Sequence, residues 1–169
     1  MLVWLMIIVG SIFLDQLTKW LTVINLDLYE TFPIIENVLH FTYVRNTGAA
    51  FGMLKDQRWV FLLVSSIAIV ALSVYLWKNR KGSKLLNVGM CFIIGGGIGN
   101  MIDRCILGYV IDFIDVRLIN FAVFNVADSF VCVGVGIFAL AVILDEIKTM
   151  KEEKVKKLEK ADTDNENDA

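Results

Sequence analysis

Four apolar runs constrain this chain more than any other feature: Leu2–Ile24, Trp59–Trp77, Leu85–Cys105 and Asn125–Glu146. A helix of about 20 apolar residues matches a hydrocarbon layer roughly 30 Å thick, so each run is long enough to cross a bilayer. Composition agrees: 57% of the residues are hydrophobic and 20% charged, too apolar for an ordinary soluble domain. The first run lacks the basic start and small-residue cleavage site of a signal peptide and is expected to be a retained span. The predicted fold class is an all-α membrane protein of four transmembrane helices with a small β-containing extracytoplasmic subdomain.

The segments between the runs supply that subdomain and the orientation. Residues 25–58 hold the only proline, Pro33, and then LHFTYV (Leu39–Val44), whose aromatic and β-branched residues predict a short strand. Gly48 and Gly52 mark turns after it. In residues 106–124, GYVIDFID fits a short strand or a membrane-skimming turn. Trp59, Tyr75 and Trp77 sit at the ends of the second span, as interfacial aromatics do. Lys78, Arg80, Lys81 and Lys84 make a compact basic loop, and lysines crowd the chain again from Lys148. By the positive-inside rule both belong in the cytoplasm, so both termini are inside and residues 25–58 and 106–124 outside. Residues 1–147 then form the membrane domain, and residues 148–169 a charged cytoplasmic tail, a helical extension fraying into disorder.

The chemistry is concentrated between Gly95 and Asp128. This stretch sets Asp103, Asp112, Asp115, Asp128, Arg104, Asn100 and Asn125 between strongly apolar runs. Such groups are expensive near hydrocarbon, and a chain that keeps them there is usually using them. Asn100 and Asp103, three apart, share a helix face. Asp112 and Asp128 belong to separate elements that can converge, and two carboxylates in a poorly hydrated pocket do not both ionise easily. Asn125 and Asp128 also stand where a helix starts, so capping explains either one equally well. Asp15 and Lys19, four apart, read as an ion pair, or Lys19 snorkels to the interface. Gly95 and Gly99 form a GxxxG pair for close helix contact; GGGIGN misses the register of a nucleotide loop.

Other chemistries are poorly served. One histidine, His40, makes a histidine-based zinc site or a Ser-His-Asp triad hard to build, and Cys91, Cys105 and Cys132 read as small buried hydrophobes. No metal, cofactor or nucleic-acid partner is expected, and the charge on Asp115 is expected to be solvated.

Taken in order, DQLTK (Asp15–Lys19), RNTGAAFG (Arg45–Gly52), GGGIGNMIDR (Gly95–Arg104), GYVIDFIDV (Gly108–Val116) and FNVADS (Phe124–Ser129) resemble the motif series of the bacterial lipoprotein signal peptidases, signal peptidase II. The resemblance implies an aspartyl endopeptidase of the cytoplasmic membrane. Such an enzyme cuts prolipoproteins just before a diacylglyceryl-modified cysteine, with lipids around it and acting as a monomer. It implies Asp112 and Asp128 as the catalytic pair, braced by Asn100, Asp103, Arg104 and Asn125, with Asp15, Lys19, Asn46, Gly48 and Ala50 near the pocket. Which aspartate starts protonated is left open, because such a pair titrates jointly. Asp103 is expected to be neutralised by Arg104 or another nearby donor. Two rivals compete: a proton-coupled transporter, disfavoured because the acids cluster at one end, and a serine peptidase pairing Ser129 with Lys19.

Overall fold

The computed structural model describes residues 1–48 and 57–167; Ala50 and Gly52 lie outside the described residues. Its elements run α1 (Leu2–Asn25), β1 (Thr31–Ile35), β2 (Leu39–Asn46), α2 (Arg58–Asn79), α3 (Lys84–Ile106), β3 (Val110–Val116), a 3-10 turn (Arg117–Ile119) and α4 (Val126–Asn167). All four α-helices are long and apolar enough to cross a membrane. The protein is thus membrane-embedded, with a three-stranded sheet at one end of the bundle.

The first helix, α1, is inside-out relative to a helix of a soluble protein. On α1 the buried residues are Ser11, Asp15, Lys19 and Thr22, at spacings of three and four that define one helix face. Apolar side chains such as Leu5, Val9, Phe13 and Trp20 point outward, where hydrocarbon accepts them. α3 is the most buried helix and packs on the other three. Its glycines allow this: a Cβ on Gly95 would lie 2.7 Å from Ser11 Cβ on α1, and one on Gly96 would collide with the Ala127 carbonyl on α4. The expected GxxxG contact is therefore real, with Gly99 against Asp15. A second close crossing, Gly89 of α3 against Gly134 of α4, was not legible from spacing. Leu76, Leu86, Met90, Cys91, Ile94 and Ala141 fill the core near the basic loop.

Strand order is β1-β2-β3, antiparallel throughout. The strand over LHFTYV is present, and GYVIDFID resolves into β3. β1 was missed because Pro33 cannot donate to a ladder; it is tolerated here because β1 is an edge strand. The opposite edge, on β3, is closed. Ile111 N–H donates to Asp103 (3.1 Å), Ile111 O accepts from Asn125 (3.3 Å), and Phe113 and Ile114 N–H both reach Phe124 O.

Two expectations need correction. Asp115 is not simply solvated: it accepts from Thr42 Oγ1 (2.7 Å) and Arg117 Nε (2.9 Å), while Arg117 also reaches Thr31 (2.8 Å). These bonds tie all three strands together. Of the cysteines only Cys91 is buried; Cys105 and Cys132 are exposed on the protein surface, where a thiol tolerates lipid as readily as protein. Beyond Glu146, α4 continues as a helix through the lysine-rich tail, whose oppositely charged neighbours support it, as in Lys148–Glu152.

Candidate active site

The first turn of α4 sets one half of the site. Asn125 Oδ1 accepts from Asp128 N–H (2.9 Å), and Asp128 Oδ2 accepts from Asn125 N–H (3.2 Å). This is a reciprocal capping box, which satisfies two helix-start donors at once. The capping role and the site role thus coexist, because Asp128 Oδ1 is left to accept from Asn100 Nδ2 of α3 (2.7 Å).

β3 carries the other half. Asp112 is 2% exposed, with Asn125 Nδ2 on its Oδ1 (2.6 Å) and Asn46 Nδ2, from the end of β2, on its Oδ2 (2.8 Å). Burial pushes its carboxyl up to about 7; the Asn46 bond opposes that, the Asp128 charge adds to it, and the Asn125 bond opposes it again. Asn125 therefore touches both carboxylates, and the two elements carrying Asp112 and Asp128 do converge.

Beneath this pair lies a buried charged layer supplied by α1 and α3. Lys19 Nζ is 2.9 Å from Asp15 Oδ2, 2.9 Å from Asp103 Oδ2 and 2.9 Å from Asn100 Oδ1. Lys19 does not snorkel; it is 1% exposed. The partner that neutralises Asp103 is Lys19, not Arg104. The expected Asp15–Lys19 pair is present as one part of a larger cluster. Asp15 Oδ1 also accepts from Ala127 N–H (2.9 Å), so α1 caps α4 from the side. Removing one partner of such a buried cluster typically costs about 3–5 kcal/mol.

Arg104 turns instead toward the end of β2. It donates to Gly48 O (3.2 Å) and lies 4.7 Å from the Phe61 ring centroid. Gly48 N–H in turn donates to Asn46 Oδ1 (2.9 Å). Every described residue expected at the site therefore joins one hydrogen-bonded network: Asp15, Lys19, Asn46, Gly48, Asn100, Asp103, Arg104, Asn125, Asp112 and Asp128.

Sequence reasoning missed Gln16, whose amide donates to Asp103 Oδ1 (2.9 Å) and Gly99 O (3.2 Å). It also missed the apolar lining: a cavity of about 600 Å³ is lined by Asp112, Asp128 and Arg104 together with Phe61, Phe124 and Val133. Two carboxylates, one raised toward neutrality, beside an apolar groove can exchange protons with a bound water and a polarised carbonyl. Among the described residues no group of three or more His, Cys, Asp or Glu is arranged to hold a metal ion.

Comparison with known proteins gives the family of this chain. A family model described as signal peptidase (SPase) II matches residues 7–144. A lipoprotein signal peptidase of Halalkalibacterium halodurans is 45% identical over 143 residues, covering 83% of this chain and 92% of that protein. One from Bacillus subtilis is 44% identical, covering 82% and 92%. A solved bacterial membrane enzyme superposes with a TM-score of 0.79 at 31% identity, covering 85% of this chain and 89% of its own. With the family match spanning most of its length, this chain belongs to the signal peptidase II family.

Proposed function

We propose that this protein is an aspartyl endopeptidase of the bacterial cytoplasmic membrane that removes signal peptides from diacylglyceryl-modified prolipoproteins. The observation that carries the reading is the meeting of Asp112 and Asp128 on Asn125, in the lining of a cavity that apolar side chains also line. Relatives named lipoprotein signal peptidase support the substrate class.

In this reading Asp128, at the start of α4 and accepting from Asn100 Nδ2 of α3 and from Asn125 N–H, is the base that takes a proton from water. Asp112 holds the proton and gives it to the scissile carbonyl oxygen as water adds; on collapse Asp128 gives the leaving amine the proton it took from water, and Asp112 recovers one from the gem-diol hydroxyl. Asn46, Asn100 and Asn125 orient the carboxylates, Arg104 fixes the turn at Gly48, and Asp15, Lys19 and Asp103 brace the layer below. The serine alternative has less support: Ser129 gives its hydroxyl to Asn125 O (3.0 Å), and Lys19 is engaged by Asp15, Asp103 and Asn100.

Purified protein in detergent should cleave a diacylglyceryl-modified prolipoprotein and leave its unmodified precursor intact. Failure on the modified substrate, or equal cleavage of both, would sink the reading.

The basic loop at Lys78–Lys84 supports placing the sheet and the site on the extracytoplasmic side and both termini inside. In a background without native cysteines, an impermeant reagent on intact cells should label a cysteine at Asn37 and not one at Ser83. The reverse pattern would invert the orientation.

A pH dependence follows from the raised Asp112 carboxyl. An acid with a pKa of about 7 holds its proton below that pH and loses it above. Turnover that needs the proton should therefore fall as pH rises through about 7, toward tenfold per unit beyond it. A turnover rate flat from about pH 6 to 9 would assign the proton to another group.

A further inference from the structure

Three asparagine side chains aim N–H groups at the two carboxylates: Asn46 and Asn125 at Asp112, and Asn100 at Asp128. A primary amide turned by half a revolution exchanges its oxygen for its NH₂ with almost no change in shape. Turned that way, each would face a carboxylate oxygen with another oxygen. What prevents this is the group on the far side of each amide.

For Asn46 that group is Gly48 N–H, and for Asn125 it is Asp128 N–H, both at 2.9 Å from the amide oxygen. A backbone N–H cannot accept, so it forces an oxygen toward itself and the NH₂ toward the carboxylate. At Asn100 the donors on the oxygen are side chains: Lys19 Nζ at 2.9 Å, and Asn125 Nδ2 at 3.0 Å, which is shared with Asp112 and Ile111 O. An ammonium has three donors and no acceptor, so Lys19 does at Asn100 what the backbone does at the other two. The ammonium cannot swing away, because Asp15 and Asp103 each hold it at 2.9 Å.

We propose that Lys19 is a positioning residue of the peptidase reaction: held between Asp15 and Asp103, it locks the Asn100 amide with its N–H on Asp128. The role goes beyond neutralising buried acids. It rests on the assignment of Asp112 and Asp128 as the reacting pair.

The test uses the full chain in detergent with diacylglyceryl-modified precursor. Lys19→Met and Lys19→Gln remove the same charge from a side chain of similar length, and only Gln offers an N–H to the Asn100 oxygen. Both should lose similar thermal stability, with KM values within about twofold of each other and kcat for Lys19→Met about tenfold or more below that for Lys19→Gln. Equal kcat values would mean that Lys19 only balances charge, and would overturn the proposal.

If neither variant folds, Asn100→Asp decides. It keeps the Lys19 ion pairs and an oxygen facing them but has no N–H for Asp128. Its kcat should fall about 100-fold with KM little changed; a kcat near wild type would show that the locked N–H is not needed. Asp128→Asn, run alongside, separates the two failures: if that variant cleaves normally, the reacting pair is misassigned whatever Lys19 does.

Discussion

Asp112→Asn and Asp128→Asn should each lower cleavage of lipid-modified precursor by about 100-fold or more while leaving expression, membrane insertion and substrate association close to wild type. The amide nearly matches the carboxylate in size, so packing is barely disturbed. At position 128 its oxygen can still accept from Asn125 N–H and keep the start of α4 capped. It can neither take a proton from water nor deliver one to a leaving amine. Because the two groups act as a unit, the double variant should be no worse than either single one. Asp115→Asn is the control. Its amide oxygen can still accept from Thr42, and what it loses is an ion pair to the partly exposed Arg117, worth up to about 1 kcal/mol. A well-folded variant of either aspartate that still processes precursor at near wild-type rate would rule out the aspartyl mechanism.

The second large effect belongs to a residue with no polar atom in its side chain. Gly96→Ala should destabilise the protein and disable what remains folded. A Cβ there would overlap the Ala127 carbonyl oxygen and lie 2.9 Å from Val131 Cγ2. The closest of these atoms is backbone, so no rotamer change relieves the contact, and α3 and α4 must part. Overpacking of this kind costs about 1–3 kcal/mol. The residue pushed away is the immediate neighbour of Asp128, and a misplacement of about 1 Å at a reacting group can cost on the order of 100-fold in rate. Gly136→Ala, where an added Cβ meets nothing within 4 Å, should be close to neutral. Thermal denaturation and turnover, measured on both variants, check this. A Gly96→Ala protein as stable and active as Gly136→Ala would mean that the two helices are not held at this distance.

How much of this was legible in the sequence depended on the kind of force involved. The four spans were, because hydrophobic length is written directly in residue type, and Asp112 and Asp128 stood out because carboxylates are costly where they lie. β1 was hidden, since Pro33 argues against a strand until its edge position is known. The partner of Asp103 was hidden for another reason. Lys19 is remote from it in sequence, and only the close approach of α1 and α3 at Gly95 and Gly99 brings them together. Gln16 was overlooked because a neutral amide in a span carries no obvious signal. The exposed thiols of Cys105 and Cys132 were misjudged because lipid-facing and protein-facing positions have similar composition. In a membrane protein the polar residues mark the inside, as α1 shows with Ser11, Asp15, Lys19 and Thr22.

The blocked edges of the sheet bear on how a polypeptide can be recognised. Many peptide-binding proteins let their ligand join a sheet as one more strand, so affinity comes from main-chain bonds that ignore side-chain identity. Here that mode is unavailable next to Asp112. The donors and acceptor of β3 on that side are already taken by Asp103, Asn125 and Phe124, and the far edge carries Pro33, which has no N–H to offer. Beside Asp112, a chain entering the cavity would be held by side chains and not by pairing with β3. Selection on that side would then follow a ligand's shape, with little weight on its backbone.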